Sequence, residues 1–65
     1  MLSKRESEIL NYVALGITAK EIASLLSLAM TTVQDHVKNI KAKLNANNNC
    51  HMVYLALKNC LISFD

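Results

Sequence analysis

Apolar residues recur along most of the chain at the three- and four-residue spacing that is typical of amphipathic helices. The first two stripes are Ile9, Leu10, Val13 and Ile17, and then Ile22, Ala23 and Leu26. The third is Val33, Val37, Ile40 and Leu44. A fourth segment, from Met52 to Ile62, is apolar on nearly every side. The pattern predicts an all-α fold of four helices, over about residues 4–15, 19–27, 30–44 and 49–59.

The ends of the predicted helices carry signals of their own. Three helices are preceded by side chains that can accept from the first free N–H groups: Ser3 with Glu6, Thr18 with Glu21, and Asn48. Gly16, the only glycine, stands where a left-handed residue would end the first helix. Asn45 can adopt the same conformation after the third helix, at a higher cost than glycine.

The second and third predicted helices are joined by a break of about three residues. A short helix, a tight break and a longer amphipathic helix form a helix-turn-helix. The start of the longer helix is open to two interpretations. Ala29 would precede a start at Met30, but it has no side-chain acceptor. Thr31 and Gln34 would instead form a capping box for a start at Thr32.

Length and composition limit the chain to a small folded unit. Its 65 residues predict a single domain over residues 1–65. An apolar fraction of 52%, with one glycine and no proline, excludes a disordered or collagen-like chain. The net charge is +2, and in the second half of the chain four lysines face only Asp35. This favours a basic face that suits nucleic acid, with plain solvated surface as the alternative.

Several classes of chemistry find no support in the sequence. It has no plausible serine–histidine–acid set and no glycine-rich phosphate loop, so we expect neither an enzyme nor a cofactor. Cys50 and His51 are adjacent but lack further ligands nearby, so no metal site is expected. Cys50 and Cys60, without a CxxC motif, indicate reduced thiols of a cytoplasmic protein. The longest apolar run, from Met52 to Leu57, is too short to span a membrane.

Four motifs in register carry a resemblance to a known family. They are L-S-K-R-E-x-E-I-L from Leu2, G-x-T-x-K-E-I-A from Gly16, T-V-x-x-H-V-x-N-I-x-x-K-L from Thr32, and L-A-L-x-x-x-L-I from Leu55. From Leu2 to Ile62 the chain resembles the LuxR/GerE-type helix-turn-helix domain of bacterial transcription regulators. The resemblance implies a four-helix domain that binds double-stranded DNA, commonly as a homodimer through the fourth helix. Most members also have a receiver or ligand-binding domain, so the chain is either a stand-alone regulator or an excised effector domain.

The sequence departs from the family pattern at both ends of the third helix and near the fourth. Serine is usual at the position of Ala29 and glycine at that of Asn45, so the third helix has lost one cap and has a costlier terminator. Many members carry basic residues at the positions of Asn47 and Asn49. The remaining departures are His51, in place of Glu or Gln, and the apolar Leu25 and Met30, in place of polar residues.

The side of the third helix opposite its apolar stripe carries the predicted base contacts, which are Gln34, Asp35 and Lys38. By resemblance, these positions read bases in related regulators. Gln34 can pair with adenine, Lys38 with guanine O6 and N7, and Asp35 can accept from cytosine N4. Alternatives stay open for two of them. Gln34 would be a capping residue with Thr31, and Asp35 would form a salt bridge with Lys38 or reject wrong bases.

The predicted phosphate contacts surround these positions: Thr18, Lys20, Thr31, Thr32, Asn39, Lys41 and Lys43. Thr18 and Lys20 stand at the N-terminus of the second helix, where free N–H groups and the helix dipole favour a phosphate. The alternatives are that Thr18 only caps the helix and that Lys41 and Lys43 are solvated surface.

The fourth predicted helix is too apolar to bury all its sides in a domain of this size. We expect one face to pack on the first two helices, which leaves an exposed apolar face that implies a partner. The predicted homodimer interface comprises Val53, Leu57 and Cys60. Two other functions fit the same fold. One is a protein-interaction module in which this face, with Leu25 and Met30, binds a partner such as RNA polymerase. The other is region four of a sigma factor, which leaves the apolar fourth helix unexplained.

Overall fold

Four helices make up the part of the chain that the computed structural model describes, residues 2–59. In chain order they are α1 (Lys4–Ala14), α2 (Ala19–Leu26), α3 (Met30–Leu44) and α4 (Asn49–Lys58). Residues 2–59 contain no strand, and the predicted all-α class is confirmed. The observed boundaries agree with the predicted ones to within one residue. Helices α1, α2 and α4 each end one residue earlier than expected.

The first two helices begin at the predicted capping boxes. Ser3 Oγ accepts from the Glu6 N–H at 3.1 Å, and Glu6 Oε1 accepts from the Ser3 N–H at 2.8 Å. Thr18 and Glu21 repeat the pattern at 3.3 and 3.1 Å. Each box satisfies donors that the first helical turn leaves without a partner, so these starts are set by residues three positions apart.

The first three helices end in the same way, with a residue in the left-handed conformation. These residues are Gly16 (φ 86°), Ser27 (φ 56°) and Asn45 (φ 57°). The next residue donates its N–H to a carbonyl five positions back: Ile17 to Tyr12 at 3.0 Å, Leu28 to Ala23 at 2.9 Å, and Ala46 to Lys41 at 2.8 Å. This is the Schellman motif. The predictions for Gly16 and Asn45 are confirmed, whereas Ser27 carries no sequence signal for φ above zero.

The core collects buried residues from all four helices: Ile9, Leu10, Ile22, Ala23, Val33, Val37, Ile40, Met52 and Ala56. Helix α3 is the longest and packs against α1, α2 and α4, whereas α2 and α4 do not contact each other within residues 2–59. The expectation that the fourth helix packs on the first is confirmed, whereas the expectation that it packs on the second is wrong. It packs on α1 and α3, because α3 buries side chains along its whole length and so provides surface for both neighbours.

Candidate nucleic-acid interface

The outer face of α3 is the side turned away from the core. Val33 and Ile40 are fully buried, and Val37 nearly so. Successive residues of a helix are about 100° apart, so Asp35 and Lys38 lie roughly opposite this stripe and Gln34 lies on its flank. All three predicted base contacts are exposed. The fold thus leaves them available, as a recognition helix requires.

Gln34 shares a polar groove with two of the predicted phosphate contacts. Thr18 and Lys41 line this groove together with Gln34, and so does Asn49 at the start of α4. The groove lies where the connection between α1 and α2 meets α3. The fold therefore brings Thr18 and Gln34, which are 16 positions apart in the sequence, to one surface. Their spacing along the chain does not predict this proximity.

The opposite flank of α3 carries an ion pair. Lys43 Nζ lies 2.6 Å from Glu6 Oε1, and the glutamate is only 4% exposed, whereas the lysine side chain is 44% exposed. The hydrogen bond from Lys43, followed by that from the Ser3 N–H, lowers the pKa of Glu6 from 4.5 to about 2. Lys43 therefore joins the end of α3 to the start of α1. A phosphate would have to compete with this intramolecular partner.

Thr18 is engaged in a similar way at the start of α2. Its hydroxyl donates to Glu21 Oε1 at 3.0 Å while accepting from the Glu21 N–H. The backbone and side-chain hydrogen bonds from Thr18 lower the pKa of Glu21. A carboxylate thus already occupies the anion-binding end of this helix. Lys20, the next predicted phosphate contact, is exposed.

The start of α3 lacks a side-chain cap. Ala29 occupies the N-cap position with extended backbone (φ −71°, ψ 146°), its carbonyl accepts from the Val33 N–H at 3.1 Å, and no side chain caps the helix. The first turn contains no acidic residue. The alternative start at Thr32 is wrong, and with it the capping box of Thr31 and Gln34. The N–H groups of the first turn have no partner within the helix, and the neighbouring Thr31 is exposed and Thr32 half-buried.

The charged groups of the outer face are not paired with one another. Within residues 2–59 the one salt bridge is that of Lys43 with Glu6. The alternative in which Asp35 pairs with Lys38 is therefore not observed. Asp35 and Lys38 are both exposed, as is the neighbouring Asn39. Lys41, on the flank, is half-buried. The outer face presents its hydrogen-bonding groups to solvent.

The start of α4 contains a hydrogen bond that sequence reasoning missed. Asn48 Oδ1 accepts from the His51 N–H at 2.9 Å, as its predicted capping role requires. In addition, His51 Nδ1 accepts from the Asn47 N–H at 3.1 Å. In a capping box, a glutamate at this position would accept from the N–H of the N-cap residue, Asn48. His51 accepts instead from the N–H of Asn47, one residue earlier. The sequence did contain a signal for this bond. A histidine nitrogen can accept a hydrogen bond, and His51 stands three residues after Asn48, the position from which a side chain reaches back past the cap.

The outer face of α4 carries several apolar groups. Tyr54 is 59% exposed, Leu57 is 39% exposed, and Val53 is half-buried against the core. Exposed Cys50 lines an adjoining groove with Val13 and Val53. Tyr54 and Cys50 were not among the predicted interface residues. Cys60, which was, lies outside the described residues. No helix within residues 2–59 has the length and apolar character needed to cross a membrane.

Comparison with known proteins identifies the family. The family model of bacterial regulatory proteins, luxR family, matches residues 1–56 of the chain. The chain belongs to the luxR family. Regulatory protein SdiA of Escherichia coli is 45% identical to this luxR-family chain over 60 residues, which cover 92% of the chain and 25% of SdiA. Oxygen regulatory protein NreC of Staphylococcus carnosus is 44% identical over 64 residues, which cover 98% of the chain and 30% of NreC.

A solved structure confirms the fold of this luxR-family chain. Response regulator ChrA of a heme-sensing two-component system superposes with a TM-score of 0.91 at 32% identity. The match covers 95% of the chain and 31% of ChrA. The resemblance inferred from the four motifs is thereby confirmed. The chain spans between a quarter and a third of the length of SdiA, NreC and ChrA.

Proposed function

We propose that this luxR-family chain binds double-stranded DNA in a sequence-specific manner and serves as the DNA-binding domain of a transcription regulator. One observation carries the proposal. Helix α3 exposes Asp35 and Lys38 opposite its buried apolar stripe and Gln34 on the flank, and no salt bridge within residues 2–59 engages them. A helix anchored on one side and presenting free polar groups on the other suits the major groove.

In this arrangement α3 is the recognition helix. Gln34 pairs with an adenine, Lys38 with the O6 and N7 of a guanine, and Asp35 accepts from a cytosine N4 or rejects other bases. A carboxylate is repelled by phosphates, so Asp35 contributes discrimination rather than affinity. Each well-formed pair contributes roughly 1–3 kcal/mol of discrimination between bases.

Phosphate contacts fall into two groups according to their present partners. The first group has no salt bridge within residues 2–59 and can contact phosphates directly. Its members are Lys20, Lys41, Asn39, Thr31 and Thr32. The uncapped N–H groups at the start of α3 add donors of the same kind. Thr18 and Lys43 are engaged with Glu21 and Glu6, so we expect smaller contributions from them.

We further propose that two copies pair through α4. Val53, Leu57 and Tyr54 form an apolar face that is incompletely covered, and Cys60 stays a predicted member of the interface. A two-fold dimer requires a roughly palindromic site, with half-sites about one helical turn (~10 bp) apart. In this proposal residues 1–65 act as one domain in the cytoplasm, where the DNA is. We assign the chain no enzymatic activity and no cofactor.

The test is binding of the chain to a pool of random duplexes at two salt concentrations, followed by sequencing of the bound fraction. We expect one enriched, roughly palindromic site and affinity that falls steeply with salt, because bound phosphates release counterions. Lys38→Ala should relax the preference at one position of each half-site. Lys58→Ala, which removes an exposed lysine from the far end of α4, is the matched control and should leave the preference unchanged.

A second candidate function rests on exposed apolar groups near the turn between α2 and α3. Leu25 is 60% exposed and Met30 is 46% exposed. These residues, with the outer face of α4, would serve a protein-interaction module that contacts a partner such as RNA polymerase. This function predicts a folded chain with negligible affinity for any duplex in the same experiment.

A further inference from the structure

Met30 is an exposed apolar residue in the first turn of α3, a helix whose other exposed residues are polar except for Ala42. It is the first residue of α3, and 46% of its surface is exposed. It is not among the partly buried apolar side chains that pack against the core. Burial in the core therefore does not account for an apolar side chain at this position.

Met30 lies on the same row of the helix surface as two of the proposed base contacts. Met30, Gln34 and Lys38 are each four residues apart, and residues at this spacing are neighbours on a helix surface. Four residues advance roughly 6 Å along the axis, a distance of about two base pairs. Met30 therefore extends the row by one contact toward the N-terminal end, which is the end that approaches base edges in a helix-turn-helix.

We propose that Met30 reads a thymine by contacting its C5-methyl group in the major groove. The inference rests on the proposed DNA binding and adds a specificity-determining residue to it. The thymine methyl is the one apolar group that a base edge presents in the major groove, and small apolar side-chain groups recognise it. The flexible thioether side chain of methionine adapts to such a surface. The contact selects thymine one or two base pairs from the adenine read by Gln34.

A protein partner is the other occupant that an exposed methionine would suit. The position of Met30 in the row with Gln34 and Lys38 favours DNA, because a duplex that contacts those two residues must pass close to the third. Leu25 is more exposed than Met30 but lies on α2, outside this row. It therefore provides a matched control, since it is apolar, exposed and near the same turn.

The test begins with the site enriched from the random pool. Each thymine of one half-site is replaced in turn by uracil, which lacks only the C5-methyl group, and binding is measured by fluorescence anisotropy. We expect one replacement to weaken wild-type binding about fourfold, the effect of burying a single methyl group. Met30→Ala should bind the thymine and uracil duplexes equally well, whereas Leu25→Ala should retain the fourfold difference.

The outcomes separate this inference from the function on which it rests. If the wild type binds no preferred sequence, the proposed function fails and the role of Met30 fails with it. If it binds a preferred site but discriminates no thymine from uracil, or if Met30→Ala keeps the discrimination, only the role of Met30 is overturned. Met30→Gln, which is similar in length but polar, serves as a second variant, and circular dichroism confirms that each variant is folded. Discrimination that survives in a folded Met30→Gln equally overturns the proposal.

Discussion

The two ends of α3 are built in opposite ways. At its start, Ala29 offers no side-chain acceptor and the first turn has no acidic residue. At its end, Asn45 adopts the left-handed conformation, and Lys43 pairs with the buried Glu6 of α1. Both Ala29 and Asn45 depart from the pattern usual in the family. The backbone accommodates the asparagine in a complete Schellman motif, whereas nothing in residues 2–59 replaces the missing cap.

The ion pair that ties α3 to α1 and the uncapped first turn thus lie at opposite ends of a single helix. At the C-terminal end, the ion pair of Lys43 with Glu6 joins α3 to α1, and a local Schellman motif ends the helix. The N-terminal end has no side-chain cap, and Met30 and Thr31 in its first turn are exposed. Val33, Val37 and Ile40 hold α3 on the core along its length, and the ion pair adds a further restraint at the C-terminal end only.

The largest expected effect comes from breaking the anchor. Lys43→Ala leaves the nearly buried Glu6 carboxylate with Ser3 as its only partner, and we expect a loss of roughly 2 kcal/mol in the free energy of unfolding, because the lysine is half exposed to solvent. Urea unfolding followed by circular dichroism measures it. Lys41→Ala removes a lysine from the same last turn and should change stability by less than about 0.5 kcal/mol. Equal losses in the two variants would show that the helix dipole, not the ion pair, is responsible.

Acid should break the same anchor in the wild type. The pKa of Glu6 is about 2 in the folded chain, below its ordinary 4.5, so the unfolded chain binds more protons between these values. The free energy of unfolding therefore falls as the pH falls. The contribution is complete above about pH 4.5 and is lost toward pH 2. We expect it to be roughly 2 kcal/mol, since solvent around the half-exposed lysine weakens the pair.

Urea titrations at a series of acidic pH values measure this loss. Glu6→Gln is the informative variant, because glutamine can still accept from the Ser3 N–H but cannot titrate. Its stability should change less than that of the wild type over the same range. Glu8→Gln, which alters a carboxyl group outside the ion pair, should keep the wild-type dependence. A steep acid loss in Glu6→Gln would assign the effect to other carboxyl groups.

Restoring the missing cap should sharpen the contrast between the two ends. Ala29→Ser places a hydroxyl where it can accept from the first-turn N–H groups, and we expect a gain of about 1 kcal/mol in the free energy of unfolding. Thermal and urea unfolding provide the measurement. Ala42→Ser, at an exposed position within α3, is the control and should be neutral or slightly destabilising. A gain no larger than that of the control would mean that water already serves these donors equally well.

The smallest effect is expected at the other end. Asn45→Gly should change stability by only a few tenths of a kcal/mol, because asparagine already adopts the left-handed conformation at modest cost. Asn45→Ala, which lacks the side-chain amide that eases this conformation, should be destabilising by about 1 kcal/mol. Comparison of the two variants by urea unfolding tests the interpretation. A large gain with glycine would show that Asn45 strains the end of α3.

Sequence reasoning was most reliable where the physical cause acts within one helical turn. The boxes at Ser3 and Thr18 and the terminators at Gly16 and Asn45 each depend on residues at most five positions apart, and all are confirmed. Ser27 shows the limit of this approach. Its left-handed conformation costs about 1–2 kcal/mol for an ordinary residue. Partly buried Leu28, the next residue, packs against the core, a tertiary contact that can offset this cost.

Local patterns in the sequence are therefore sufficient to predict the four helices, their apolar stripes and, through the motifs, the family. Which groups meet across the chain follows only from the packing of the helices. Lys43 and Glu6 are 37 positions apart, and α4 packs on α3 rather than α2. The physical reason is that capping and periodicity depend on the geometry of one helix, whereas ion pairs and packing depend on how separate helices are placed. That placement decides which lysine of the last turn, Lys43 or Lys41, forms an ion pair within residues 2–59.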